Sequence, residues 1–118
     1  MTASAEFTDY VLEFLEPLFP VSIARFFGGA GIYCGSVQFA MIMHNTLYFV
    51  VNDESREKYQ QAGMQPFSYM TKKGQVKVRK YFELPEEVLN DPEQLQLWAN
   101  ESLKIAYNTQ KPKQPPLI

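Results

Sequence analysis

The stretch Ser36-Val-Gln-Phe-Ala-Met-Ile-Met-His-Asn-Thr-Leu-Tyr-Phe-Val-Val51 decides the fold. β-Branched and aromatic residues dominate both of its halves, which predicts strands over Ser36–Met43 and Thr46–Val51. The two residues between them, His44-Asn45, predict a tight hairpin, because asparagine tolerates the positive φ that such turns require. Side chains pointing in both directions from these strands are apolar, so we expect both faces of the central hairpin to be covered.

Weaker signals precede and follow this hairpin. An apolar stripe at helical spacing begins after Ser4, which can cap it, and ends at Pro17. A further strand is predicted over Ile23–Phe27. Behind the hairpin, Asp53 is expected to cap a short helix that ends at Ala62, since a glycine follows in the usual terminating position.

The second half of the chain predicts two more strands and a long helix. The strands lie at Pro66–Met70 and Val76–Phe82, with Lys73-Gly74 as the turn between them. The helix has a clear start, because Asp91 can cap it and proline follows at its first position. We expect its apolar face to pack on the sheet and Trp98 to be substantially buried. That face consists of Leu95, Trp98, Ala99, Leu103 and Ala106.

These elements follow one another in the order α-β-β-β-α-β-β-α. Consecutive strands joined by tight turns favour antiparallel pairing, so the sequence predicts an α+β fold with a five-stranded, mainly antiparallel sheet and helices on one face. The cluster Gly28-Gly29-Ala30-Gly31 is interpreted as a bend or bulge between strands. It lacks the third glycine and the following helix of a dinucleotide-binding loop.

Length and composition are typical of one globular domain. The chain has 118 residues, 46% of them apolar, and a net charge of −2. We expect the domain to occupy residues 1–108 and a proline-rich, extended tail to occupy 109–118. The single cysteine excludes an internal disulfide, and the N-terminus does not resemble a signal peptide. These features favour a cytoplasmic protein without a membrane span.

Residues that commonly carry chemistry are few. His44, the one histidine, falls at a hairpin tip, and no acid or nucleophile has a spacing that would orient it as a base. Cys34 lies in an apolar, strand-like stretch, where a packed and unreactive thiol is the usual state. One histidine and one cysteine do not make a structural zinc site. We therefore expect no catalytic residue, no metal site, no cofactor and no enzymatic activity.

Basic residues concentrate on the last predicted hairpin. Lys72, Lys73, Lys77, Arg79 and Lys80 are five of the eleven in the chain. Strand alternation predicts that Lys77, Arg79 and Tyr81 share one face. Such a face can contact phosphates, but lysines on an edge strand also prevent aggregation, and the net negative charge favours this second interpretation. We expect no site-specific DNA binding by this domain alone.

An ordered set of short motifs resembles the N-terminal domain of the TfoX/Sxy competence regulators. The motifs are Phe27-Gly28-Gly29-x-Gly31-Ile32-Tyr33, Gly35, Phe39-Ala40, Leu47-Tyr48, Pro66-Phe67-x-Tyr69, Tyr81, Leu84-Pro85 and Asp91-Pro92-Glu93-x-Leu95-x-x-Trp98-Ala99. The resemblance implies a fold similar to secretion-chaperone domains. It also implies a role in competence, in which larger family members work with the cyclic-AMP receptor protein and carry a C-terminal domain that this sequence lacks.

Three functional hypotheses follow. The first is a regulatory interaction module whose protein partner belongs to the transcription machinery. The second is a peptide- or small-ligand-binding domain, with a groove beside the glycine-rich bend, and the third is an enzyme of unrecognised type. The candidate interaction or ligand surface consists of Arg25, Gly28, Gly29, Tyr33, Tyr69, Lys77 and Arg79.

A homodimer is also predicted. Helices from a short chain cover one face of a small sheet, which leaves the apolar residues of the other face without a cover. Either the flanking strands curl over this face, or a second copy of the chain covers it. A twofold dimer is the commonest arrangement that hides one patch on two copies.

Overall fold

The computed structural model describes residues 5–26 and 28–110. The predicted cap Ser4, Phe27 at the end of a predicted strand, and residues 111–118 of the predicted tail lie outside the described residues. The described elements are α1 (Ala5–Leu15), β1 (Ser22–Phe26), β2 (Gly29–Cys34), β3 (Val37–Met43), β4 (Thr46–Val50), α2 (Asp53–Gln61), β5 (Pro66–Thr71), β6 (Gly74–Glu83), α3 (Glu86–Leu89) and α4 (Pro92–Gln110).

The strands form one antiparallel sheet in the order β1-β2-β3-β4-β6-β5. The α+β class is confirmed, but the predicted count of five strands is wrong, because the sheet has six. The additional strand is β2, which contains Gly29, Ala30 and Gly31 of the cluster interpreted as a bend or bulge, whereas Gly28 lies in the turn before it. Glycine lowers intrinsic strand propensity, and here pairing with β1 and β3 on both sides outweighs that local preference.

The central hairpin forms as predicted. Strands β3 and β4 pair from Ala40–Phe49 to Met43–Thr46. His44 and Asn45 have φ angles of 53° and 59°, the two positive values that a type I′ turn requires. The two residues of each cross-strand pair lie on the same side of the sheet, and successive pairs alternate between the two sides.

The four described helices lie on one side of the sheet, which we call the helix side. Helix α4 crosses β3 and β4, and Leu95 and Ala99 are buried against strand residues such as Phe49. The buried Ser102 hydroxyl donates to the Val50 carbonyl over 2.9 Å, which satisfies a polar group inside this interface. Trp98 is only half-buried, so the expectation of substantial burial is met in part.

Two helix boundaries differ from the prediction. Asn52, not Asp53, is the cap of α2, and it forms a capping box with Ser55. The helix α3 was not predicted. It has one turn, follows Pro85 and begins with two glutamates, and it packs beside the start of α4. The sequence signal for this helix is weak, because a single turn is too short to show an amphipathic period.

The opposite side of the sheet, which we call the open side, is closed at its centre. Met41, Val50 and Tyr81 belong to this side by register, and 7%, 2% and 8% of each remains exposed. The rings of Tyr48 and Phe67 meet edge to face there, at 5.4 Å between centroids. Side chains of the flanking strands therefore cover the centre of the open side, as one of the two interpretations of the sequence expected.

Candidate functional site

The predicted surface residues do not meet at one place. Arg25, Gly28, Gly29 and Tyr33 lie at the β1–β2 end of the sheet, whereas Tyr69, Lys77 and Arg79 lie at the β5–β6 end. Strands β3 and β4 separate the two groups, and neighbouring strands are about 4.8 Å apart. A single groove that contacts both Tyr33 and Tyr69 is therefore not formed.

The glycines at the β1–β2 turn have a structural explanation. Gly28 has a φ of 91°, which side chains rarely adopt. A Cβ atom on Gly29 would overlap the Ile42 carbonyl oxygen and the Met43 sulfur. Gly28 is therefore required by the turn conformation, and Gly29 by the close approach of β2 to β3, so both glycines have a structural explanation without a ligand.

Tyr33 and Tyr81 face each other on the open side, across β3 and β4. The pKa of Tyr81 is raised to about 12. Burial is the main cause, and the electrostatic effect of the Tyr33 phenol is the second. The Tyr81 hydroxyl therefore stays protonated at neutral pH. At neutral pH the Tyr81 phenol can therefore act as a hydrogen-bonding group but not as a base.

The β5–β6 hairpin exposes apolar side chains on both of its faces. Tyr69 and Val76 pair across the two strands and are 48% and 36% exposed. Met70, the next residue along β5, is 73% exposed. Tyr69 was among the residues predicted from the sequence, whereas Met70 and Val76 were not. The alternation of apolar and polar residues along β6 was a signal that could have identified Val76.

The basic side chains of this hairpin lie differently from the prediction. The register shifts between Pro66 and Phe67, so that Phe67 pairs with Val78 while the adjacent Pro66 pairs with Phe82. This irregularity changes the alternation along β6. Lys77 consequently lies on the helix side and Tyr81 on the open side, and the expectation that they share a face is wrong.

Lys77 and Arg79 line a small polar cavity of about 340 Å³ on the helix side. Its other walls are Gln60, Met64, Gln65, Pro66 and Phe82. The neighbouring Arg56 donates from Nε to the Arg79 carbonyl over 3.0 Å and pairs with Asp53 at 2.7 Å. The hydrogen bond and charge of Arg56 hold the pKa of Asp53 below its ordinary value.

Cys34 borders a groove between the start of β3 and the second half of α4. The groove has a volume of about 490 Å³ and a mainly apolar wall. It is lined by Cys34, Ser36, Val37, Asn100, Leu103, Lys104 and Tyr107. His44 lies elsewhere, exposed in the β3–β4 turn. Within residues 5–26 and 28–110, no three histidine, cysteine or acidic side chains come together as a metal site.

Comparison with known proteins gives one match. A family model described as the TfoX N-terminal domain matches residues 13–106 of the 118-residue chain. A search of curated proteins found no match. The matched range covers all six strands and α2 to α4 except the last turn of α4, so the whole sheet and both of its edges fall within it. No helix in the described part of the chain is long and apolar enough to cross a membrane.

Proposed function

This chain belongs to the TfoX N-terminal domain family, and on that premise we propose that it is a non-enzymatic regulatory module that acts through protein contacts. Its partner is a protein of the transcription machinery, and its place of action is the cytoplasm. The proposed competence role and the similarity to secretion chaperones come from the family resemblance.

The exposed β5–β6 hairpin is the observation that carries this proposal. Tyr69, Met70 and Val76 expose apolar area there, and the same hairpin holds five basic side chains. Exposed apolar groups next to charges are typical of transient protein interfaces, which have an apolar centre and a polar rim. The proposed module needs no cofactor, metal or reactive side chain.

A binding experiment tests the protein-contact role. The full chain, immobilised after nuclease treatment, is used to isolate proteins from its source cells, and each retained protein is then purified and titrated alone. We expect at least one binary complex with a dissociation constant of about 10 μM or tighter. Retention of nucleic acid alone, or the absence of any binary complex, would contradict the proposal.

A homodimer is part of the proposal and has a separate test. Phe26 on the edge strand β1 pairs with Gly29 on the open side and is 44% exposed, so apolar area remains at this edge of the open side. Burial of this area should drive the association, which then depends little on salt. Sedimentation at increasing concentration should show a dimer that Phe26→Asp disrupts. A strict monomer at high concentration would exclude it.

The groove beside Cys34 favours a second candidate function, the binding of a small apolar ligand. A cavity of about 490 Å³ is large enough for such a molecule. A ligand that raises the melting temperature of the wild type but not of Leu103→Trp, which fills the groove, would support this function. Equal effects on both proteins would place the ligand elsewhere.

A further inference from the structure

Strand β5 is an edge strand that carries no charge of its own. It ends the sheet beyond β6, and its sequence is Pro66-Phe-Ser-Tyr-Met-Thr71. An edge strand directs half of its backbone N–H and C=O groups away from the sheet, where another strand can pair with them. Proteins usually prevent such pairing with charges on the strand itself, and here the last three residues, Tyr69 to Thr71, are exposed and uncharged.

The neighbouring strand and turn supply a strong positive charge. Residues 66–82 contain five basic residues and no acidic one, whereas the remainder of the chain contains six basic and thirteen acidic residues, a formal charge of −7. Among the described residues, the ion pairs within 4 Å are Arg56–Asp53 and Lys58–Glu101, and neither uses a basic side chain of the hairpin. Lys73 and Lys77, which the proposal below uses, are therefore available to an external partner.

The distances suit a partner that lies beside β5. A strand added there would be about 5 Å from β5 and about 10 Å from β6. Exposed charges farther apart than the Debye length, about 8 Å at physiological ionic strength, are largely screened. The long lysine side chains reach across this gap and bring their charges closer to the added strand. Lys73 in the turn and Lys77 on β6 are placed to contact acidic side chains of the added strand.

The charge also decides which partner fits. A second copy of this chain that pairs through β5 around a twofold axis would place two hairpins of charge +5 side by side. Like charges across paired strands are destabilising, so self-pairing at this edge is disfavoured. Nucleic acid satisfies the charges, but it has no peptide groups to complete the strand pairing.

We propose that β5 binds an extended acidic segment of another protein by strand addition. Backbone hydrogen bonds to the β5 edge hold the segment, apolar side chains of the segment contact Tyr69 and Val76, and its carboxylates face Lys73 and Lys77. This proposal rests on the protein-contact role proposed above and assigns that role to one edge of the sheet.

Peptide binding to the full chain tests the strand addition. The probe is a fluorescein-labelled octapeptide of alternating glutamate and valine, and the control replaces every glutamate by lysine. We expect anisotropy to detect the acidic peptide only, with an affinity that falls at least tenfold between about 50 mM and 500 mM salt. Two further peptides carry N-methyl groups, one on all glutamates and the other on all valines. Since only alternate amides face β5, one of these two should lose binding and the other should retain it.

Variants locate the site. Lys73→Glu/Lys77→Glu should weaken the acidic peptide at least tenfold. The matched control Lys111→Glu/Lys113→Glu, which makes the same change of charge outside residues 66–82, should weaken it less than threefold. If both variants lost the same affinity for the acidic peptide, the effect would come from net charge alone, and the proposal would be overturned. It would also be overturned by an absence of peptide binding at 50 mM salt, equal binding of both N-methylated peptides, or displacement by oligo-dT with the same dependence on the variants.

The partner experiment separates this proposal from the one on which it rests. A protein that binds the wild-type chain and Lys73→Glu/Lys77→Glu equally well would preserve the protein-contact role and overturn β5 as its site. The absence of any binary partner, together with the peptide pattern above, would preserve the strand-addition edge and contradict the regulatory role.

Discussion

Strands β3 and β4 and the β5–β6 hairpin belong to one sheet, but they differ in what lies against them. The central strands have α4 on one side and the side chains of flanking strands on the other, and Phe39, Ala40, Ile42 and Phe49 are fully buried. The hairpin has a free edge at β5, and half of the residues in its two strands are exposed. Buried apolar area is therefore concentrated at the centre of the sheet, while the outer hairpin keeps exposed side chains and an unpaired edge.

The largest expected effect comes from matched aromatic truncations in the two regions. Phe49→Ala removes a fully buried ring that contacts Phe39, and it should cost about 3–5 kcal/mol of unfolding free energy. Tyr69→Ala removes a half-exposed ring and should cost about 1 kcal/mol or less. Urea unfolding measures both values. Similar losses would show that the hairpin is part of the cooperative core.

The dependence of the unfolding free energy on alkaline pH provides a second comparison, this time at the open side. Because burial raises the folded pKa of Tyr81 to about 12, the folded state keeps a proton that the unfolded state loses near pH 10. The stability from this group is complete below pH 10 and is lost between pH 10 and 12, by about 2–3 kcal/mol. Burial also raises the pKa of Tyr59, which adds to the same loss.

Urea midpoints between pH 8 and 12 test this dependence on Tyr81. Tyr81→Phe should have a shallower decline than the wild type, since it cannot ionise. Tyr69→Phe is the control, because its ring is half-exposed and on the outer hairpin. Parallel declines of Tyr81→Phe and the wild type would contradict the assignment.

A smaller effect is expected where α2 connects the two regions. Arg56 hydrogen-bonds the Arg79 carbonyl and pairs with Asp53, so Arg56→Ala should cost about 1 kcal/mol. Arg56→Lys keeps the charge but cannot make both contacts in this geometry, so it should lose nearly as much. Full stability of Arg56→Lys in a thermal melt would show that charge alone is required.

The smallest expected effect is on the stability of the outer hairpin. Lys73→Glu/Lys77→Glu should change the unfolding free energy by about 0.5 kcal/mol or less, because both side chains are exposed and belong to no described ion pair. Circular dichroism melts check this value. A loss above about 2 kcal/mol would mean that the two lysines stabilise the fold and are unsuited as a binding probe.

Much of the secondary structure was predictable from local signals. The β3–β4 hairpin, its His44-Asn45 turn and the start of α4 at Pro92 each depend on the conformational preferences of a few adjacent residues. Strand β2 was missed for the same reason. Gly29 and Gly31 weaken the local signal, and their role in close approach to β3 depends on residues from another strand.

The candidate site was less predictable than the fold. The family resemblance, the concentration of charge in residues 66–82 and the aromatic residue Tyr69 could all be found from the sequence. It did not show that Lys77 and Tyr81 lie on opposite sides, because a register irregularity between strands is not encoded in the period of either one. Nor did it show the separation of Tyr33 from Tyr69.

By itself, the sequence determined the α+β class, the central hairpin, the family and the basic hairpin, all of which depend on residue types and short-range order. Tertiary structure alone decided the strand order and therefore that β5 is an edge and β4 is not. It also decided that the open side closes over Met41 and Val50. Both outcomes depend on pairing between strands distant in sequence, which side-chain packing across the whole sheet selects.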